Sequence, residues 1–248
     1  MLLTIDVGNS NIVFGLFKDD ILKKKARFGT SPKALRAELL KIKDLFIEGV
    51  MVSSVVPELD SLLKRTIIDI FRINPYFVSN HTFKKIMPLR MPKPAEVGAD
   101  RLVDAYAAKQ LYGKPSVVVD FGTATTFCAV NGRGEYLGGA ICPGVAVSRD
   151  SLHEKTAKLP LVDLKFPGRA IGGDTVSAMK SGLLFGYIGI VEGMVERFRK
   201  EMGGRPRVIA TGGLAGIIAK GTDIIDIVDP GLTLKGLQMI WGRIWQTK

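Results

Sequence analysis

The chain has 248 residues, 46% of them hydrophobic and 24% charged, with 28 glycines and 12 prolines. This composition excludes a disordered, collagen-like or heptad-built chain, and the length suits two core-forming lobes or one large α/β domain. A formal charge of +11 points to acidic ligands without naming one. Two cysteines outside any CxxC pair, Cys128 and Cys142, and two histidines, His81 and His153, leave no zinc site and no disulfide scaffold.

Leu2 to Ile5 is a short apolar run closed by Asp6-Val7-Gly8-Asn9-Ser10. Ile12 to Phe17 resumes it before a Lys18-Asp19-Asp20 turn, which together read as a hairpin. A carboxylate at position six interrupts any secretory signal, and the longest uncharged, mostly apolar run, Ser181 to Val191, is eleven residues against the roughly 18 that span a bilayer. The expectation is a soluble protein of the reducing cytoplasm, with no membrane association.

Ser31-Pro32 reads as an N-cap and first helical residue, followed at helical spacing by Leu35, Leu39, Ile42 and Phe46. Gly49 to Pro57 is a buried-type strand entering a loop, and Leu59 to Ile73 is helical through Leu62, Leu63, Ile67 and Phe71. Asp100 to Tyr112 is helical through Leu102, Tyr106 and Leu111, with Gly113 where a left-handed cap is wanted. Beyond the Lys114-Pro115 break, the strand Val117 to Val119 leads into Asp120-Phe121-Gly122-Thr123-Ala124-Thr125-Thr126. Phe127 to Val130 resumes the apolar run, and Asn131-Gly132-Arg133-Gly134 is a hairpin turn. From Thr175 the positions Val176, Met179, Leu183, Leu184, Tyr187, Ile188, Val191, Val195 and Phe198 keep helical spacing. Val208 to Ala210 then leads into Thr211-Gly212-Gly213.

The pattern apolar strand, Asp-x-Gly-Asn/Thr, apolar strand occurs at Asp6 and again at Asp120, 114 residues later. Each copy is followed by a strand ending in small residues, Ser53-Ser54 in the first half and Thr211-Gly212-Gly213 in the second. The duplication implies two similar α/β lobes, residues 1–113 and 114–248, with the boundary near Gly113 to Pro115. A turn of this kind can carry chemistry: glycine lets the backbone approach a ligand, while neighbouring N–H groups and the Asn or Thr side chain offer donors to phosphate oxygens. The aspartate at the strand end is held rigidly and can face a hydrated metal or a cation.

These residues resemble the acetate and sugar kinase/Hsp70/actin superfamily, and within it the type III pantothenate kinase family. The resemblance rests on Asp6-Val7-Gly8-Asn9-Ser10-Asn11, Glu96-Val97-Gly98-Ala99-Asp100-Arg101 and Asp120-Phe121-Gly122-Thr123-Ala124-Thr125-Thr126. It extends to Gly138-Gly139-Ala140-Ile141-Cys142-Pro143-Gly144, Thr156-Ala157-Lys158-Leu159-Pro160, Gly172-Gly173-Asp174-Thr175 and the TGG loop, so it covers nearly the whole chain. It implies an α/β fold of two ribonuclease H-like (actin-like) lobes, each a mixed five-stranded sheet with flanking helices, and an ATP cleft between them. The implied reaction is transfer of phosphate from ATP to pantothenate, the first step toward coenzyme A. By the same resemblance Asp100 is the proton acceptor, and Asp6, Val7, Gly8, Asn9, Ser10 and Asn11 form the first nucleotide loop, with Asp6 facing hydrated Mg²⁺. Thr123 is the second phosphate contact, and Asp120 binds a monovalent cation (K⁺ or NH₄⁺). Gly98, Ala99, Asp100 and Arg101 meet the pantothenate, and Thr175 reaches the site from the partner subunit of a homodimer.

Each of these residues also has a plain structural reading. Asp100 serves equally as an N-cap, Arg101 as the ion-pair partner of Glu96 or Asp104, and Asp174-Thr175 as a good helix start. Where many family members carry Tyr and Asn before this block, the chain has Met91 and Lys93, and Lys93 is a substitute anion contact. Lys23-Lys24-Lys25 with Arg27 reads as a solvated face rather than a nucleic-acid stripe. Cys128 reads as a buried small hydrophobe, while Cys142 and the histidines receive no role. The wide apolar face from Val176 to Phe198, with Gly182, Gly186, Gly189 and Gly193, is expected at or near a two-fold dimer contact. Two other functions fit the same turns: a kinase for another small hydroxylated acid or sugar, and a nucleotide-binding regulator without turnover.

Overall fold

The computed structural model describes residues 1–245. The chain forms two compact units, the first made of Met1–Ala107 with the segment from Gly231 onward, the second of Ala108–Pro230.

In the first unit, β1 (Leu2–Val7) and β2 (Asn11–Lys18) form the expected hairpin, continued by β3 (Ile21–Gly29). Then come α1 (Pro32–Leu40), β4 (Gly49–Ser54), α2 (Pro57–Phe71), the short β5 (Tyr76–Phe77) and the single turn α3 (Asn80–Phe83). The sheet order is β3-β2-β1-β4-β5, with β1 antiparallel to β2 and parallel to β4. Leu3, Ile5 and Val7 point to one face, where they meet Leu35 and Leu39 of α1 and Leu63 and Ile67 of α2. Ser31 caps α1 as its sequence suggests, its Oγ accepting from Ala34 N–H at 3.2 Å. That helix stops at Leu40, short of the spacing that runs on to Phe46. Turns donating from Ile42 to Leu39 O and from Leu45 to Ile42 O take over, burying Ile42 and leaving Phe46 81% exposed.

The strand β3 carries the lysine cluster along the edge of the sheet, with Lys23, Lys24, Lys25 and Arg27 all exposed. Charged side chains on an edge strand discourage pairing with another chain.

From α4 (Ala99–Tyr112) the chain enters the second unit through β6 (Ser116–Phe121), β7 (Ala124–Val130), β8 (Tyr136–Pro143) and α5 (Val145–Lys155). Next are α6 (Thr175–Met202), β9 (Arg207–Gly212), the single turn α7 (Ala215–Ile218) and β10 (Ile227–Val228). Here the order is β10-β9-β6-β7-β8, with β6 antiparallel to β7 and parallel to β9, the same arrangement as in the first sheet. The duplicated sequence pattern is therefore a duplicated topology, and Gly113 takes the left-handed φ of +85° expected of it. Val117, Val119 and Phe121 pack under α6 through Leu183, Leu184, Tyr187 and Val191. By length and composition α6 could also cross a membrane; its buried stripe, from Met179 to Val195, is that of a helix covering a sheet.

The division differs from the expected boundary at 113/114 in two ways. It falls within α4, between Ala107 and Ala108, and the C-terminal helix α8 (Leu232–Trp245) belongs to the first unit. Helix α8 packs against β1, β2 and β4 on the face that α1 and α2 leave open. Its Leu232, Leu234, Leu237 and Ile240 are buried, and the six-membered ring of Trp241 lies against Gly49 of β4. Trp245 stacks on Trp241 with ring centroids 4.1 Å apart. A Cβ at residue 49 would land on the Trp241 ring. Gly49→Ala is therefore expected to cost about 1–3 kcal/mol, as overpacking of a filled core does, read as a lowered urea midpoint at unchanged slope.

Candidate active site

Both Asp-x-Gly sequences stand at the end of the central strand of their sheet. Asp6 lies opposite Val13 of β2 and Ser53 of β4, and Asp120 opposite Thr126 of β7 and Thr211 of β9. The turns differ by one residue. Gly8 N–H donates to Asn11 O at 3.0 Å, whereas Gly122 N–H donates to Ala124 O at 3.1 Å. The first turn thus exposes Asn9 and Ser10 at its tip and the second exposes Thr123.

Each turn is braced from outside its hairpin. Thr30 grips the first from the end of β3: its Oγ1 donates to Gly8 O at 2.7 Å and its N–H to Ser10 O at 3.1 Å. Gly144, just before α5, holds the second by donating its N–H to Thr123 O at 3.0 Å. The Asp120 carboxylate leans over the end of β9, where Gly212 has a φ of +88° and a Cβ would fall on Asp120 Oδ1. Only glycine meets both demands there. At the matching position of the first sheet, opposite Val7, stands Ser54.

Asp100 sits in the first turn of α4, where the helix dipole favours a negative charge. Its Oδ1 accepts the backbone N–H of Arg101 at 2.7 Å. Burial is the larger influence and lifts its carboxyl above the usual range, while the Arg101 hydrogen bond and guanidinium charge pull the other way. Gly98 lets the carboxylate come close, since a Cβ there would sit 2.6 Å from Asp100 Oδ1. The same Gly98 approaches Val55, whose N–H donates to Val7 O at 3.0 Å. Through Val55 the loop carrying Gly98, Ala99, Asp100 and Arg101 is brought to the end of β1 beside the first turn, so the first unit gathers Asp6 to Asn11 and Asp100 in one place.

Lys93, Thr125 and Thr175 each have a distinct local setting. Lys93 pairs with Glu96, Nζ to Oε1 at 3.0 Å, with both side chains mostly exposed; this removes Glu96 as an obvious partner for Arg101 and gives Lys93 a local role. Thr125 is fully buried with no partner for its hydroxyl. Thr175 is exposed at the first position of α6, behind the Asp174 cap, whose Oδ1 accepts Ser177 N–H at 2.9 Å. Next to it a cavity of about 470 Å³ is lined by Pro167, Arg169, Ile171, Asp174 and Ser177 with the intervening glycines. Cys128 is buried as read, with Sγ 3.7 Å from Tyr136 Oη.

Sequence reasoning passed over Thr30 and Val55, which carry no motif of their own. Gly144 and Gly212 were visible only as members of glycine-rich blocks.

The raised Asp100 carboxyl has a consequence for stability. A folded-state value above the unfolded one near 3.9 contributes stability that is complete at acid pH and lost as pH rises through the folded value. Asp100→Asn keeps an acceptor for Arg101 N–H and drops the charge. It is expected to melt higher than the parent at pH 7, with the gap closing below pH 4. A parent carboxyl titrating at or below the ordinary value in ¹³C NMR would contradict this.

The comparisons with known proteins agree with the geometry. A sequence profile of the type III pantothenate kinase family matches residues 2–197. A type III pantothenate kinase of Moorella thermoacetica is 45% identical over 255 residues, covering 98% of this chain and 99% of that protein. Among solved structures, a Campylobacter jejuni chain named as a candidate Baf family transcriptional activator superposes with a TM-score of 0.66 at 20% identity over 98% of both chains. MreB 5 of Spiroplasma citri, bound to AMPPNP, superposes with a TM-score of 0.57 at 10% identity, covering 99% of this chain and 97% of that one. Such distant likeness speaks to the fold, which is the actin-like α/β fold expected. Profile and full-length relative together show that the chain belongs to the type III pantothenate kinase family.

Proposed function

We propose that Asp100 accepts the proton of the pantothenate hydroxyl and that the two Asp-x-Gly turns are the phosphate loops of this enzyme. As a type III pantothenate kinase the chain phosphorylates pantothenate with ATP and a divalent metal, in coenzyme A biosynthesis. The observation that carries the residue roles is the Asp100 carboxylate, partly withdrawn from water at the start of α4 and set beside the first turn through Gly98 and Val55.

Phosphoryl transfer needs positioning and charge neutralisation more than covalent help from the protein. The pantothenate hydroxyl oxygen attacks the γ-phosphorus, the bond to the β–γ bridging oxygen breaks, and the hydroxyl proton passes late to Asp100. A carboxyl lifted by burial holds that proton better than an ordinary aspartate. Arg101 offers its guanidinium fork to the pantothenate carboxylate. The N–H groups and side chains of Val7 to Asn11, with Thr123, receive the phosphates.

Among the described residues no group of three or more His, Cys, Asp or Glu could enclose a metal. Single carboxylates at Asp6 and Asp120 fit ions that arrive with the nucleotide and keep part of their water. In this reading Asp6 faces Mg²⁺, which neutralises phosphate charge, and Asp120, leaning over Gly212, takes a monovalent cation, K⁺ or NH₄⁺.

The same reading makes the enzyme a cytoplasmic homodimer whose partner subunit supplies Thr175. Support comes from the outer face of α6, where a Cβ at Gly182, Gly186 or Gly189 meets nothing within 4 Å and Ile190 and Val176 are 38% and 41% exposed. Sedimentation is expected to give a dimer at micromolar concentration, and Gly186→Arg a monomer with sharply reduced pantothenate turnover. A monomeric parent protein would remove both the interface and the role of Thr175.

ADP release with ATP, Mg²⁺ and pantothenate tests the chemistry. Turnover should depend on pantothenate, rise when K⁺ replaces Na⁺, and fall at least about 10²-fold in Asp100→Asn. An Asp100→Asn enzyme as fast as the parent would take the proton-acceptor role from Asp100, and equal rates in both salts would take the cation from Asp120.

A further inference from the structure

The end of the second sheet remote from Asp120 holds a second concentration of charge. Lys114 and Pro115 precede β6, Arg205 and Pro206 precede β9, and Tyr112 ends α4; together with Arg207 and Asp226 they line a cavity of about 330 Å³. Five residue steps separate Pro115 from Asp120, about 16 Å along β6. Arg207 is fixed in place: its backbone N–H donates to Pro115 O at 3.0 Å and its Nη1 to Tyr112 O at 2.7 Å. The end of α4, whose carbonyls favour one cation, is thereby served by Arg207.

Lys114 and Arg205 have no such reason to be there. Both are exposed, and among the described residues neither they nor Arg207 pair with a carboxylate. The lining carboxylate, Asp226, accepts Val208 N–H through Oδ2 at 2.7 Å. The Tyr112 hydroxyl is committed to Asp229, to which it donates at 2.6 Å. Lys109 adds to the crowding. Its ammonium is held below the usual lysine value, first by burial and then by the charge of Lys114. Lys114, Arg205 and Arg207 outnumber the one lining carboxylate, Asp226, and such an excess of like charge around a concave surface raises the local concentration of anions. A guanidinium fork beside a lysine point charge matches a phosphate group, and the volume lies in the range of small-molecule sites.

We propose that this cavity is a binding site for a small phosphate-bearing anion, separate from the phosphate loops and additional to the kinase reaction. The occupant is a compact di- or trianion seated between Lys114 and Arg205 against the anchored Arg207.

Inorganic pyrophosphate titrated into the ¹⁵N-labelled full chain tests this. The backbone amides of Gly113, Lys114, Arg205 and Arg207 are expected to shift and saturate together. In the double variant Lys114→Ala/Arg205→Ala the affinity read at these amides should fall about tenfold or more, which is the loss of roughly 1.4 kcal/mol. Melting temperature and kinase turnover should stay at the parent values. Shifts confined to residues 8–11 and 122–124 would overturn the proposal, as would cavity shifts that persist unchanged in the double variant. A short DNA duplex that moves the same amides at lower phosphate concentration would also overturn it, giving the surface to nucleic acid instead.

Discussion

Everything in this molecule depends on placing a carboxylate at the end of a strand that cannot move. In each sheet the central strand has an antiparallel neighbour on one side and a parallel neighbour on the other. Its backbone is fixed on both edges up to the residues that enter the turn. Asp6 and Asp120 occupy that position. The turn beyond each is closed by a glycine N–H and held by one further residue, Thr30 or Gly144. Sites built on paired strands keep their geometry better than sites on free loops. Duplication supplies the arrangement twice, and the copies then diverge. One extra residue widens the first turn, and Gly212 in place of Ser54 lets the second carboxylate lean over its neighbour strand.

Asp100 follows a different logic. It stands on a helix rather than a strand, and its surroundings oppose its charge. A helix N-terminus and an adjacent N–H only partly offset the loss of water. The proposed proton acceptor is thus the kind of group that active sites hold at a cost to stability, and Gly98 belongs to the same compromise. With no side chain of its own, it gives up conformational restriction so that the carboxylate can pack closely.

Much of this was legible in the sequence, and the gaps have physical causes. The repeated Asp-x-Gly pattern located both turns because strand ends and glycine requirements are local. Capping chemistry placed the starts of α1 and α6 for the same reason. Edge strands were harder: three successive lysines hide the alternation of β3, and glycines at 138 and 139 dilute that of β8, although both pair fully with their neighbours. Spacing carried α1 too far, because Ile42 is buried by tight turns beyond the helix rather than by the helix itself. Thr30 and Val55 escaped notice since each acts through a backbone contact that leaves no mark on residue type. The return of α8 to the first sheet was also out of reach. An apolar helical stripe says that something will be covered, and only the fit of Trp241 over Gly49 says what.

That return fixes an order of events at the ribosome. The second unit is one unbroken stretch, Ala108–Pro230, and can complete its core as soon as β10 has emerged. The first unit is begun earlier but stays unfinished, with the α8 face of β1, β2 and β4 bare until the helix that closes it has been made. Domains usually fold as units in the order they are synthesised; here the half synthesised first matures last. Until α8 docks, that face of β1, β2 and β4 has no cover, and the charged edge of β3 works against pairing between chains in that state.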